Sequence, residues 1–517
     1  MSLFRARQRV GLPAGLAAFA PPPPAGRAAR AVRERGLGPR GFTGPGQGAV
    51  SFVDAPPEWR GTTVQVCGMW PFAAGSGSPV VGVPLGQHLD TGATVCGDPL
   101  SYFLTRPKLI SNPSMFLLAD PGVGKSTLVA RMVTGLTDQG VTPLILGDTR
   151  PDYAATVTAL GGQVHALGRG VGGLNVVDPG GLSAVLPRLS GEARRLLEAD
   201  RKGRQETVVG ALLELVLHRQ LGAAEAAALS TALDLLNAAT LRGTLPQVAA
   251  ILAEGPAAIR SVILADTDTE YRALTVELRR AFGTVLSGIF GQLFTGEADT
   301  PLDLGAPALS LDVSAIPDTD TQLLAAALLA SWTTGFAAIR GAQALADAGL
   351  GPQRYYFAVL DELWLALRAG KGMAGRIDTI TRLNRKFGLG WVMITHSAAD
   401  LHALPDVEDR QKAAGFIERA GMVALGGLSD RELNALADIV PLSAAERGRI
   451  GDWGSPQTLN PTVGVDAPAP GVGQFLLKVG RHPGIPLRVT LTAPERRLRN
   501  SNTIWDAARP TTPGPPA

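Results

Sequence analysis

The segment Ala119-Asp120-Pro121-Gly122-Val123-Gly124-Lys125-Ser126-Thr127 narrows the choice of fold more than any other stretch of the chain. It follows an apolar run at residues 115–118 and precedes a helical pattern that begins at Lys125, which is the strand–loop–helix setting that a phosphate-binding loop requires. Gly122 and Gly124 allow backbone N–H groups, including that of Val123, to close around phosphate oxygens. The helix presents the positive end of its dipole to the same anion. Lys125 is then expected to neutralise the terminal phosphates of ATP, and the Ser126 hydroxyl, beside Thr127, to ligate Mg²⁺. Ala119 stands where the motif G-x-x-x-x-G-K-[ST] has its first glycine; the methyl group restricts the turn and removes no phosphate ligand.

A second segment, Tyr355-Tyr356-Phe357-Ala358-Val359-Leu360-Asp361-Glu362, is an apolar strand closed by two carboxylates. Alone it reads as an ordinary strand end. Downstream of a phosphate loop it reads as the partner strand, with Asp361 holding the Mg²⁺ shell and Glu362 deprotonating the attacking water. A third strand, at residues 389–394, ends in Thr395 and His396. Ligands in open α/β sheets sit outside the carboxyl ends of strands, so these two residues are placed to sense the terminal phosphate or position the water, His396 as a catalytic candidate. A structural role for the histidine fits equally. Asp148 ends the strand after the loop helix and is a weaker case of the same kind.

Around these motifs the pattern alternates strand and helix, with further apolar runs at 143–146, 309–313, 422–425, 474–479 and 487–491. This predicts an α/β fold with a mainly parallel sheet. Residues 182–300 break the alternation with helical periodicity, such as Val208-Leu212-Leu213 and Leu229-Leu233-Leu236, and read as an all-helical insertion. Short β-like pieces at 63–66 and 80–83 form a small β-rich preface. The expected division is a tail (1–50), the preface (51–110), a first core segment (111–181), the insertion (182–300), a second core segment (301–506) and a second tail (507–517). A length of 517 residues would suggest two or three units, but one core with an insertion accounts for most of it.

Charge matters chiefly at the N-terminus. The first 60 residues carry nine Arg against Glu34, Asp54 and Glu58, an excess of six positive charges. The whole chain is +3, so the remainder is −3, and the basic balance is weak evidence for nucleic-acid binding by the body. The Arg- and Pro-rich tail is read either as a solvated segment or as an arm touching anionic lipid or nucleic acid. Arg5, Arg7 and Arg9 before an apolar stretch imitate a signal peptide, but Pro13 and the proline run at 21–24 argue against one. Cys67 and Cys96 give neither a disulfide framework nor a zinc site, so a reducing cytoplasm is expected. No apolar run is expected to reach the roughly 18–20 residues that a membrane-spanning helix needs, because Gly, Pro or charge interrupts each candidate.

The order of these elements resembles the TraC-like conjugation ATPases of type IV secretion systems, within the HerA/FtsK superfamily. The residues that carry the resemblance, beyond the phosphate loop, are Leu160-Gly161-Gly162-Gln163, Gly173-Leu174-Asn175, Asp361-Glu362-Leu363-Trp364 and Arg382-Leu383-Asn384-Arg385 leading to Thr395-His396. It extends from about residue 82 to residue 506. It implies a RecA-like P-loop ATPase working as a homo-hexamer with ATP and Mg²⁺ at the cytoplasmic face of the inner membrane. Its partners would be components of a secretion channel, and its work the transfer of DNA or protein or the assembly of a pilus. Two departures stand out: His396 where the family usually has Gln, and a short preface where it commonly has a large N-terminal docking domain. Ring ATPases often take an arginine from a neighbouring subunit; Arg382, Arg385, Arg272, Arg279 and Arg280 are candidates, each also readable as belonging to a solvated basic face. The alternatives are a DNA-translocating pump of the same superfamily and a catalytically silent nucleotide-binding scaffold.

Overall fold

Hydrogen bonding joins eleven strands into one sheet, in the order β2-β1-β11-β10-β9-β3-β8-β7-β4-β6-β5. The computed structural model describes residues 79–295, 302–368, 373–381, 388–397, 404, 406–455 and 471–498. The strands are β1 (Pro84–His88), β2 (Thr94–Cys96), β3 (Ser114–Leu118), β4 (Thr142–Asp148), β5 (Gln163–Ala166), β6 (Leu309–Asp312), β7 (Tyr356–Leu360), β8 (Leu389–Thr395), β9 (Met422–Leu425), β10 (Gln474–Val479) and β11 (Ile485–Val489). From β9 to β5 the neighbours run parallel. The block β9-β10-β11-β1-β2 is antiparallel. The central strands β3, β4, β7 and β8 are buried along their whole length, which is why they read as continuous apolar runs instead of alternating ones.

Helices cover both faces. Helix α1 (Lys125–Asp138) buries Leu128, Val129, Met132, Val133 and Leu136, a stripe at helical spacing. Between β5 and β6 the described elements are all helical, among them α2 (Gly191–Leu217), α3 (Ala223–Ala239), α4 (Leu245–Glu254) and α5 (Asp268–Leu286). Their apolar sides, including Leu212, Leu233, Leu252 and Phe282, join one core with the sheet. Two of these helices, α4 and α5, begin with capping boxes, built on Thr244 with Gln247 and on Thr267 with Glu270, which satisfy the exposed N–H groups of the first turn.

Three expectations are corrected. Residues 80–83 lie outside a strand, and the first strand begins at Pro84; the Gly and Pro around them favour bends. The last strand occupies Ile485–Val489 instead of 487–491. Helix α6 (Thr321–Asp347) does hold an 18-residue stretch apolar enough to cross a membrane, with mean hydropathy 1.5, but 94% of that stretch is buried inside the fold. It lies across β4, and the indole of Trp332 donates to the carbonyl of Leu146 at 2.6 Å. A helix apolar on all sides is what a position between the sheet and the insertion demands. The piece at 63–66 and the two tails lie outside the described residues.

Candidate functional site

The phosphate loop leaves β3, and its neighbours β8, β7 and β4 run parallel to it. Their carboxyl ends therefore open on the same side, where a cavity of about 630 Å³ is lined by Gly122, Gly124, Lys125, Ser126, Thr127, Arg150, Asp152, Asp361, Glu362 and His396. Gly124 caps the helix with φ 104° and Gly122 has φ 81°, conformations that side chains strongly disfavour. The Val123 side chain is buried in the core and its carbonyl accepts from Gly473 N–H at 2.8 Å. The methyl of Ala119 is accommodated because Gly426 faces it: a Cβ at Gly426 would stand 2.6 Å from that of Ala119.

The reacting side chains form one hydrogen-bonded line. Lys125 Nζ donates to the carbonyls of Ala119 (2.6 Å) and Asp120 (3.2 Å) and lies 2.7 Å from His396 Nδ1. His396 Nε2 lies 2.8 Å from Glu362 Oε1, and the Trp364 indole donates to Glu362 Oε2. An ammonium only donates and a carboxylate only accepts. The imidazole between them is therefore assigned, on this logic, an accepting Nδ1 and a proton on Nε2.

Beside this line, Ser126 Oγ donates to Asp152 Oδ2 at 2.6 Å, and the Tyr153 hydroxyl donates to Asp361 Oδ2 at 3.2 Å. Glu362 has φ 50°, a left-handed conformation rare for a residue with a side chain. Its own N–H donates to Asp361 Oδ1 at 2.9 Å.

Burial governs the electrostatics. It lowers Lys125 to about 8, against the opposing pull of Asp361 and Glu362. It raises Asp361 to about 6, with the charge of Glu362 adding to the effect. Burial also pushes Glu362 upward, but the hydrogen bonds from His396 and the Trp364 indole outweigh it, so Glu362 is held below the usual carboxylate range. The two acids at one strand end are thus driven apart, the pattern that separates roles in a catalytic pair.

The other candidates fall elsewhere. Thr395 is fully buried beneath the cavity wall, and its hydroxyl has no hydrogen-bond partner among the described residues. Asp148 is buried too, and its carboxylate accepts from the backbone N–H groups of Asp152 (3.2 Å) and Tyr153 (2.9 Å), so it shapes the loop after β4. Arg272 and Arg280 are exposed and paired with Asp268 and Glu277; Arg279 reaches the carbonyl of Arg272. Arg382 and Arg385 lie outside the described residues. Sequence reasoning missed Arg150, Asp152 and Tyr153, although the polar run at 148–152 directly after an apolar strand was the available signal.

A parallel sheet with a phosphate loop at the carboxyl end of a central strand, the acidic strand beside it and a helical insertion defines a RecA-like P-loop NTPase fold. The chain shares this fold with VirB4 of Thermoanaerobacter pseudethanolicus, at a TM-score of 0.59 and 18% identity over 82% of this chain and 100% of that one. It also matches the plasmid coupling protein TrwB in complex with ADP and Mg²⁺ (TM-score 0.44, 11% identity, 74% and 85% coverage). A third match is the cytoplasmic domain of the type VII secretion ATPase EccC of Thermomonospora curvata (0.29, 11%, 81% and 31%). No family model and no curated protein matches the sequence.

Proposed function

We propose that the chain is an ATP-hydrolysing motor of a conjugative or type IV-like secretion apparatus, powering transfer of DNA or protein or assembly of a pilus. The observation that carries this reading is the meeting of Lys125, Ser126, Asp361 and Glu362 around one cavity at the carboxyl ends of adjacent parallel strands. The fold shared with VirB4 and the sequence resemblance support the secretion context. On the same reading the chain works as a ring of like copies docked on membrane components of a secretion channel.

Residues of this cavity suit Mg²⁺. Ser126 Oγ and Asp361 are hard oxygen donors, and no cage of three or more His, Cys, Asp or Glu side chains exists among the described residues. Mg²⁺ is commonly held this way, by one or two protein oxygens with phosphates and water completing the shell. When bound it would neutralise charge on the β- and γ-phosphates. Lys125 and the loop N–H groups hold the phosphates. Glu362, ionised and oriented by His396 and Trp364, takes a proton from the attacking water. The water oxygen bonds to the γ-phosphorus, the bond to the bridging oxygen breaks, and ADP and inorganic phosphate leave.

The test is ATP turnover by the full chain, with and without single- and double-stranded DNA. Glu362→Gln should keep nucleotide binding and lose turnover by roughly 10²–10⁴-fold. Strong stimulation by DNA would favour a translocating pump, and an inactive wild type that binds ATP would favour a scaffold. Normal hydrolysis by Lys125→Ala would remove the site assignment altogether.

A further inference from the structure

One charged side chain of the cavity neither holds Mg²⁺ nor activates the water. Arg150 stands on residues 149–152, which follow the carboxyl end of β4 and line the cavity together with the phosphate loop. Its guanidinium is exposed and makes no hydrogen bond or ion pair with another described residue. By contrast Arg131, Arg419 and Arg449 are each paired with a carboxylate within 2.9 Å.

The loop that carries Arg150 is tied at three points. Asp148 accepts two of its backbone N–H groups, Asp152 accepts from Ser126, and Tyr153 donates to Asp361. Pro151 fixes one more backbone angle. Arg150 is thus held beside both the phosphate loop and the acidic strand end. Its charge is felt at both, since it helps lower the proton affinity of Lys125 and of Glu362.

Two cations, Lys125 and Arg150, face one cavity, an arrangement that repels until an anion lies between them. A guanidinium offers a planar fork of donors that matches phosphate oxygens.

We propose that Arg150 is a phosphate-binding arginine acting in cis: its guanidinium takes the terminal phosphate of the triphosphate bound by its own chain and stabilises the charge that develops there during hydrolysis. The inference rests on the ATPase reading. It assigns to the chain's own loop the role that ring ATPases commonly give to a neighbour's arginine.

The experiment compares full-length wild type, Arg150→Ala, Arg150→Lys and Lys125→Ala, using fluorescent ADP and a fluorescent β,γ-imido ATP analogue with Mg²⁺, and turnover of ATP. Arg150→Ala should bind ADP within about twofold of wild type, bind the imido analogue about tenfold more weakly, and turn over on the order of 10²–10³-fold more slowly. Arg150→Lys should recover some of the analogue binding and little of the turnover, because a point charge lacks the fork. Mixing Arg150→Ala with Lys125→Ala chains should restore nothing, since neither chain holds a complete site.

Recovery in the mixture would show an arginine given in trans and overturn the proposal, as would Arg150→Ala turning over within about twofold of wild type. If wild type is active, Lys125→Ala is dead and Arg150→Ala is normal, only this inference falls. If wild type neither binds nor hydrolyses ATP, the ATPase reading falls and Arg150's role with it.

Discussion

His396 Nε2 lies 2.8 Å from Glu362 Oε1, and the other nitrogen of the same ring lies 2.7 Å from Lys125 Nζ. The phosphate-loop lysine and the base of the hydrolysis scheme are therefore joined through one imidazole. A glutamine amide offers the same pairing of one acceptor and one donor. His396→Gln should keep turnover within about tenfold of wild type, whereas His396→Ala, which leaves Glu362 unoriented, should lose on the order of 10²-fold. Equal loss in both, measured as kcat for ATP, would mean the ring does something an amide cannot.

Asp152 accepts the hydroxyl proton of Ser126 at 2.6 Å, which leaves the serine lone pairs free for a cation. Groups that orient a metal ligand in this way typically carry 10- to 100-fold in metal affinity. Asp152→Asn should raise the Mg²⁺ concentration needed for half-maximal tightening of ADP binding by about tenfold, with ADP binding in chelator unchanged. An unshifted Mg²⁺ titration would assign Asp152 to loop structure alone.

Gly426 and Ala119 face each other so closely that a second methyl cannot fit, since its Cβ would also stand 2.9 Å from Val123 Cγ1. Gly426→Ala should destabilise the fold by about 1–3 kcal/mol, the usual range for overpacking. Adding Ala119→Gly should return most of the loss. Urea unfolding of the two single variants and the double variant measures the coupling, and strict additivity would contradict the contact.

Asp148 is raised to about 8, chiefly by burial and further by Asp312, against the two backbone N–H groups it accepts. A carboxyl raised in the fold contributes stability that is complete below its unfolded value, near 4. That contribution is lost as pH climbs through the folded value. The window is about pH 4 to 8, and Asp361, raised to about 6, adds the same sign only in its lower half. Asp148→Asn should therefore narrow its Tm gap to wild type as pH rises from about 6 to about 8. A gap that stays constant over that range would place the titration elsewhere.

The phosphate loop and the pair Asp361-Glu362 were legible in the sequence because each is a local unit of strand and strand end. The central strands were legible for the same reason, since burial on both faces leaves unbroken apolar runs. His396 was expected at this end of its strand, but its bonds to both Lys125 and Glu362 were not, because they follow from the pairing of Leu118 with Thr395 and of Leu360 with Met393. No local pattern encodes those registers. Arg150 and Asp152 escaped notice because the end of β4 matters only once β4 is seen beside β7. The apolar length of helix α6 was underestimated, because a glycine such as Gly335, which lets the helix approach Leu146, does not end a helix enclosed by protein.

The pairing of β1 with β11 has a mechanical meaning. Through β11, β10 and β9, the first strand is riveted to β3, and Gly473 at the head of β10 holds the Val123 carbonyl inside the phosphate loop. Tension applied along β1 meets these ladders in shear, so many hydrogen bonds bear it together instead of parting one at a time. A load on β1 is thereby shared with the strand at whose head Gly473 holds the Val123 carbonyl of the phosphate loop.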